Sequence, residues 1–204
     1  MNKLIENIPD DPGVYLFKGA KGKLLYVGKA GNLRRRVASY FSKSYSNKTE
    51  KLVKEIKRID YVKTPTAIEA LILEAKLIKK FEPPYNFKEK DDKSFLYIEI
   101  TNEEYPRVLL VRGKEDPGGE RFGPFTKASD VRSALNILRK ILPYSTHEAD
   151  KIGSYKRPCF NAQIGLCLGT CTGVIGKKQY WKNIRNLKLF LRGKRDKLVK
   201  GLEK

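Results

Sequence analysis

Apolar runs divide the first 90 residues into a clear order of elements. Pro12-Gly13 opens the run Val14-Tyr15-Leu16-Phe17, and a polar turn carrying Gly19 and Gly22 separates it from Leu24-Leu25-Tyr26-Val27-Gly28. Two apolar runs joined by a glycine-containing loop predict a β-hairpin. Asn32 is placed to cap a helix from Leu33 to about Phe41. Past a polar loop from Ser42 to Asn47, Thr49 caps a second helix reaching Arg58, with Leu52, Val53 and Ile56 as its apolar side. Ile59–Lys63 predicts a third strand. Pro65-Thr66 starts a strong helix from Ala67 to about Phe81, which Pro83-Pro84 must end.

After Asp91-Asp92-Lys93-Ser94 the texture changes. Phe95–Thr101, Arg107–Arg112 and Arg121–Phe125 predict strands, with Asp116-Pro117-Gly118-Gly119 turning between the last two. A helix follows over Ser129–Leu142. Ser145–Gly173 is rich in Gly and Cys and has no periodicity, a final helix covers Lys177 to about Leu191, and the charged last dozen residues are expected to fray. The pattern predicts an α/β chain of the α+β kind: a small, mostly antiparallel three-stranded sheet flanked by helices, then a smaller β/α region. Three segments result: 1–90, a β-rich and helical extension over 91–143, and a Cys-rich segment with a basic helix over 144–204.

A chain of 204 residues is long enough for a real core. No apolar run approaches the length of a membrane span and no signal-type stretch opens the chain, so a cytoplasmic protein is expected. Composition changes the picture through charge. The net charge is +20, which makes a polyanion the natural partner. Residues 1–90 hold 20 Lys/Arg against 10 Asp/Glu, 91–150 hold 9 against 11, and 151–204 hold 14 against 2. Two basic ends flank a near-neutral middle, which predicts two phosphate-contacting surfaces. Charge alone does not separate DNA from RNA.

Helix geometry singles out two residues. Glu74 has Ala70, Leu71, Leu77 and Ile78 as its neighbours at i−4, i−3, i+3 and i+4. A carboxylate on a core-facing stripe needs a cation, a metal or a proton; the plain alternative is a helix-edge glutamate paired with a lysine. Arg36 falls on the inner stripe of Leu33, Val37 and Tyr40, where an inward guanidinium would suit a phosphate oxygen; the alternative is a three-arginine run on backbone phosphate. Cys159, Cys167 and Cys171 are three cysteines within 13 residues, a spacing that argues for metal ligation more than disulfides.

Gly13-Val14-Tyr15, Tyr26-Val27-Gly28-Lys29, Arg36, Glu74 and Tyr85-Asn86 together resemble the GIY-YIG nuclease superfamily. Glu69-Ala-Leu-Ile-Leu-Glu74, Leu77-Ile-Lys-Lys, Pro84-Tyr-Asn86, Asp91-Asp-Lys-Ser94, Phe122-Gly-Pro-Phe125 and Arg157-Pro-Cys159 narrow the likeness to the N-terminal nuclease half of the UvrC family, the incision subunits of bacterial nucleotide excision repair. The resemblance covers nearly the whole chain. It implies a GIY-YIG fold and a metal-dependent endonuclease that nicks damaged duplex DNA on the 3′ side of a lesion. A stand-alone structure-specific nuclease and a non-catalytic nucleic-acid-binding module are the alternatives.

The resemblance also implies roles. Glu74 would be the sole protein ligand of one Mg²⁺ or Mn²⁺, and Tyr26 the general base or water orienter, with Lys29 helping to lower its pKa. Arg36 would neutralise the scissile phosphate, Tyr15 and Tyr40 would orient water and phosphate, and Asn86 would support the site. Members of the family place four cysteines around a [4Fe–4S] cluster. Here the first ligand position falls on His147, with steps of 12, 8 and 4 residues to Cys159, Cys167 and Cys171. A cluster, a Zn²⁺ ion and a lost site remain open. A UvrB-like loader is the implied partner, no membrane is involved, and the chain is expected to act as a monomer. The family's pattern continues beyond a hairpin that begins near Lys204, so either a fragment or a short form is expected.

Overall fold

The structure is a computed structural model that describes residues 4–42, 47–87, 95–113 and 118–202. Asp91-Asp92-Lys93-Ser94 and the start of the turn expected at Asp116-Pro117 lie outside them. The chain divides into two compact units: Met1–Phe95 with Pro124–Thr126, and Leu96–Gly123 with Lys127–Lys204.

In the first unit, β1 (Gly13–Lys18) pairs antiparallel with β2 (Leu24–Ala30) on one side and with β3 (Arg58–Lys63) on the other, giving the order β2-β1-β3. The central strand is buried on both faces, which is why its apolar run is continuous rather than alternating. Tyr15 and Phe17 face one cluster with Leu25, Leu33, Val37, Leu52 and Ile56, whereas Val14 and Val27 face another with Ala70 and Ile78. Leu33 and Val37 lie on α1 (Leu33–Ser39), Leu52 on α2 (Asn47–Glu55), and Ala70 and Ile78 on α3 (Ala67–Phe81), so helices cover both faces. Asn32 caps α1 by accepting from Arg35 N at 2.8 Å, and Thr66 caps α3 by accepting from Glu69 N at 3.2 Å. The short α4 (Pro84–Phe87) follows α3.

In the second unit, β4 (Leu96–Thr101) lies between β5 (Val108–Arg112) and β6 (Gly119–Phe125), and β5 pairs antiparallel with it. The helices are α5 (Ala128–Ile141), α6 (Phe160–Gln163), α7 (Lys177–Leu191) and α8 (Arg195–Leu202). Tyr180 of α7 is buried; its hydroxyl donates to Pro106 O at 2.6 Å and accepts from Ser145 N at 2.9 Å. No described helix is long and apolar enough to cross a membrane.

Element order follows the apolar pattern, but several boundaries differ. α1 stops at Ser39, two residues before the expected Phe41, and α2 stops at Glu55 rather than Arg58. Lys57 N already donates to Lys18 O at 2.8 Å, so the sheet captures the chain before the helix can continue. The expected frayed end contains α8. The short helices α4 and α6 lack enough turns to show a period. Tyr180 ties the loop before β5 to the Cys-rich segment, and Asn183 Nδ2 donates to Pro143 O at 3.2 Å, so the structure places residues on both sides of 143 in one unit.

Candidate active site and candidate metal centre

β2 is the edge strand of the first sheet, and an edge strand leaves outward-facing backbone groups to satisfy. Two side chains do this. Asn86, carried by α4, accepts from Val27 N at 2.9 Å through Oδ1 and donates to Val27 O at 2.8 Å through Nδ2. Its amide copies the pairing of a neighbouring strand. Two residues on, Lys29 N donates to Glu74 Oε1 at 3.0 Å. Glu74 and Asn86 therefore grip alternate residues of one strand edge, and both are 4 % exposed.

On the face of the sheet that carries Tyr15 and Phe17, three tyrosines gather. Tyr15 is fully buried, and its hydroxyl lies 2.9 Å from that of Tyr40. The Tyr26 ring centroid lies 6.1 Å from that of Tyr15 and 6.4 Å from that of Tyr40. Gly28 sits opposite Tyr15 in the β1–β2 register, and a Cβ there would collide with the Tyr15 hydroxyl. Gly13 is equally constrained, since a Cβ would meet Val62 O and the Leu33 side chain. The two glycines of the tyrosine hairpin are thus close-approach positions.

Arg36 does not point into the core as its helical stripe predicted; it is exposed. Its guanidinium lies 5.0 Å from the Tyr40 ring centroid, and NH2 donates to the Tyr40 hydroxyl at 3.4 Å. A guanidinium is costly to bury, so the long side chain bends along an aromatic face and keeps its head wet. Arg34 turns away, its Nε donating to Ile8 O at 2.7 Å. Lys29, Gly31, Asn32, Arg35, Arg36 and Ser39 are among the residues lining an open cleft of about 760 Å³. The cleft is cationic.

Burial pushes the Tyr26 phenol well above its ordinary range, the neighbouring Tyr40 and Glu74 push it further, and Arg36 pulls it down. Burial also raises Tyr15, reinforced by Tyr26 and Tyr40.

The second unit holds a different cluster. One ligand atom from each of His147, Cys159 and Cys171 lies within 4.8 Å of the others. His147 Nε2 is 3.2 Å from Cys159 Sγ, and Cys159 N donates to Cys171 Sγ at 3.4 Å. Cys167 is near in sequence but stands outside that set, its Sγ 3.7 Å from Thr170 Oγ1. Burial holds the Cys159 thiol above its usual range; the Ala162 backbone opposes this, and Cys171 and Cys167 add to it. A thiol held protonated beside a second sulfur and an imidazole is what a cation would relieve.

The sequence places Asn86 as a hydrogen-bonding support of the site, but not its partner, because Val27 lies 59 positions away. Sequence reasoning also missed Thr170 and Ser145, buried and joined by a 2.9 Å hydrogen bond beneath the cysteine loop. Nothing local to either residue announces that contact.

Comparison with known proteins agrees with both halves. Residues 11–87 match the UvrC-like GIY-YIG domain, and residues 95–190 match the UvrC/Cho excinuclease middle domain. The UvrABC system protein C of Desulforudis audaxviator is 42% identical over 199 residues, covering 97% of this chain and 32% of the relative. That of Carboxydothermus hydrogenoformans is 42% identical over 202 residues, covering 98% and 33%. The chain thus spans about a third of the length of the curated relatives it matches. The crystal structure of the GIY-YIG N-terminal endonuclease domain of UvrC from Thermotoga maritima, bound to magnesium, is 40% identical with a TM-score of 0.38, covering 41% of this chain and 91% of that one. With a GIY-YIG domain followed in order by a UvrC/Cho middle domain, the chain belongs to the UvrC family.

Proposed function

We propose that this chain is a divalent-metal-dependent endonuclease that cuts one strand of damaged duplex DNA on the 3′ side of the lesion, in bacterial nucleotide excision repair. The observation that carries the reading is the meeting of Glu74, Tyr26 and Arg36 around the β2 edge, beside a cationic cleft. Glu74 fits a hard ion. Its carboxylate is out of water and anchored through one oxygen by a backbone N–H, and carboxylate oxygen suits Mg²⁺ or Mn²⁺. When bound, such an ion supplies Lewis-acid charge to the phosphate and acidifies the attacking water.

The side chains do the rest. Arg36, fixed against Tyr40, neutralises a phosphate oxygen entering the cleft, and Lys29 adds charge at its rim. Tyr26 would accept the proton of the attacking water as its phenolate, and a cation beside Glu74 would favour that ionised form by offsetting the upward push that this carboxylate exerts. Tyr40 orients the phosphate. Tyr15, sealed beneath it, orients Tyr40 rather than substrate. Asn86 holds β2 in place.

In the second unit, His147, Cys159 and Cys171 fit a single Zn²⁺ better than a [4Fe–4S] cluster. Donors about 2.3 Å from one tetrahedral ion stand about 3.8 Å apart, whereas a cluster spreads its ligands over different irons. The 3.2 Å approach of His147 to Cys159 suits the former. Cys167 would complete the set by turning from Thr170. The chain acts as a cytoplasmic monomer on DNA delivered by a UvrB-like loader, in keeping with relatives named for the UvrABC system.

The test is nicking of a bubble-containing duplex in Mg²⁺ or Mn²⁺. Glu74→Gln keeps size and removes charge, so nicking should fall by about a hundredfold or more while melting stays close to the parent. Tyr26→Phe should also abolish most cutting. Persistence of cutting in Glu74→Gln would sink the mechanism. Loader-independent cutting of damaged duplex would favour a stand-alone nuclease, and binding without cutting a silent module.

A further inference from the structure

Phe160 stands where soluble surfaces seldom put an aromatic ring. It is 71 % exposed, next to Cys159, and Ile164 one turn on is 50 % exposed. The ring does not sit on a slack loop. Ala162 N and Gln163 N both donate to Cys159 O, Ile164 N donates to Phe160 O, and Leu166 N and Cys167 N both donate to Asn161 O. Gln163 Nε2 donates to Pro158 O at 2.9 Å, and Arg139 Nε of α5 donates to Leu166 O at 2.8 Å. The result is a rigid knob with an apolar tip.

The surroundings name the partner's chemistry. Tyr155, Lys156 and Arg157 are exposed immediately before the knob. From Lys151 to Arg195 the sequence holds eleven Lys/Arg and no Asp/Glu. An exposed apolar tip marks a binding surface, and adjoining cations select a partner with apolar faces spaced between negative charges. Nucleic acid has that alternation: bases offer π-faces, and phosphates flank them. Architectural DNA-binding proteins insert Phe, Leu and Ile as wedges where base steps open easily.

We propose that Phe160, backed by Ile164, is a stacking wedge that enters DNA where bases are already unpaired or unstacked, while Lys156 and Arg157 hold the neighbouring phosphates. A paired duplex must be unstacked before it can admit the ring, and an opened site need not be. The wedge gives the chain a preference for distorted DNA without reading sequence. The inference rests on the chain acting on DNA, and adds to it the substrate feature that the second unit recognises.

The test uses the full chain with two probes of one sequence: a paired duplex, and the same duplex with a short unpaired bubble carrying 2-aminopurine at its edge. Phe160→Ala should weaken bubble binding about tenfold and paired-duplex binding less than about twofold, in line with the cost of losing one stacked base. The protein-induced change in 2-aminopurine fluorescence should disappear with it. Phe160→Leu should keep part of the preference, and Phe160→Trp should restore it, with a Trp signal that bubble DNA quenches. The ring is exposed, so all variants should melt like the parent. If Phe160→Ala leaves both affinities unchanged, or lowers both equally, the wedge is wrong although the chain binds DNA; the unchanged result would point to a protein partner for the knob. If the parent binds neither probe at low salt, the DNA reading falls and the wedge with it.

Discussion

The two candidate sites are built on opposite principles. At the β2 edge the participating residues, 26, 36, 74 and 86, are far apart in sequence, and strands and helices with their own apolar contacts bring them together. Glu74 and Asn86 are already anchored to backbone groups of β2. The His147–Cys159–Cys171 site draws on 25 residues of turns and short helical pieces. Its backbone bends through Gly153, Gly165, Gly169 and Gly173, all at positive φ, and hydrogen bonds among loop groups, such as Tyr155 N to Cys171 O at 2.9 Å, tie it together. On the proposed function, the first scaffold should form without its ion, whereas the second should need its ion as a structural part.

Metal removal should separate the two most strongly. A chelator, or Cys171→Ala at this fully buried sulfur, should strip about one zinc per chain and cost the second unit its cooperative transition, since structural zinc supplies on the order of 10 kcal/mol. The first unit should keep its fold. Hydrogen exchange reads both at once: residues 145–175 should lose protection while 13–81 keep it. Equal protection of the loop with and without chelator would remove the distinction, and an iron chromophore in place of zinc would restore the cluster.

A change at the β2 edge should act locally and more mildly. Asn86→Ala leaves Val27 N and O without the amide that satisfies them, at about 1–3 kcal/mol for each buried group. Melting of the first unit should drop by roughly 10–20 °C, with the second unit unchanged. Because both amide atoms of Asn86 are engaged with the β2 backbone, kcat for nicking should fall about tenfold with little change in KM. A large rise in KM at constant kcat would instead make Asn86 a binding residue.

How much of each site the sequence displays follows from the same contrast. Glu74 is legible because a helix has a period, and an acid among Ala70, Leu71, Leu77 and Ile78 stands out against it. Asn32 and Thr66 are legible as caps because capping is local. The course of the Arg36 side chain is not, since a helical stripe fixes where Cα lies and not how four further bonds bend toward Tyr40. Asn86 is identifiable as a motif residue, but its clamp on Val27 depends on sheet order, which no local pattern carries. In the loop, the steps of 12, 8 and 4 bring the ligands into view as a set. Which sulfurs converge is decided by turns such as the one that aims Cys167 at Thr170, and turns of this kind have no period to read.

The smallest effect concerns protons and would sharpen the contrast within the first unit. Tyr15 and Tyr26 both hold their phenols above the usual range, chiefly through burial, then for Tyr15 through Tyr26 and Tyr40, and for Tyr26 through Tyr40 and Glu74. A free tyrosine titrates near 10, so below about pH 10 folded and unfolded chains are equally protonated and the stabilisation is fully present. Above it the unfolded chain loses protons first. Stability should then fall with rising pH, by about 1.4 kcal/mol per pH unit for each such phenol, until the folded values are passed. Denaturant unfolding of the first unit between pH 9 and 11 should show this decline, and Tyr15→Phe should make it shallower by one tyrosine's share. Mg²⁺ provides the finer probe. Tyr180 in the second unit is also raised by burial, and the carboxylate that adds to it is Glu103 rather than Glu74. If the ion sits at Glu74, it should ease the Tyr26 phenol downward and leave Tyr180 where it is, a difference that site-specific tyrosine NMR can follow. Equal shifts at both tyrosines would mean that Mg²⁺ acts as general ionic screening, and the assignment of Glu74 as its ligand would fail.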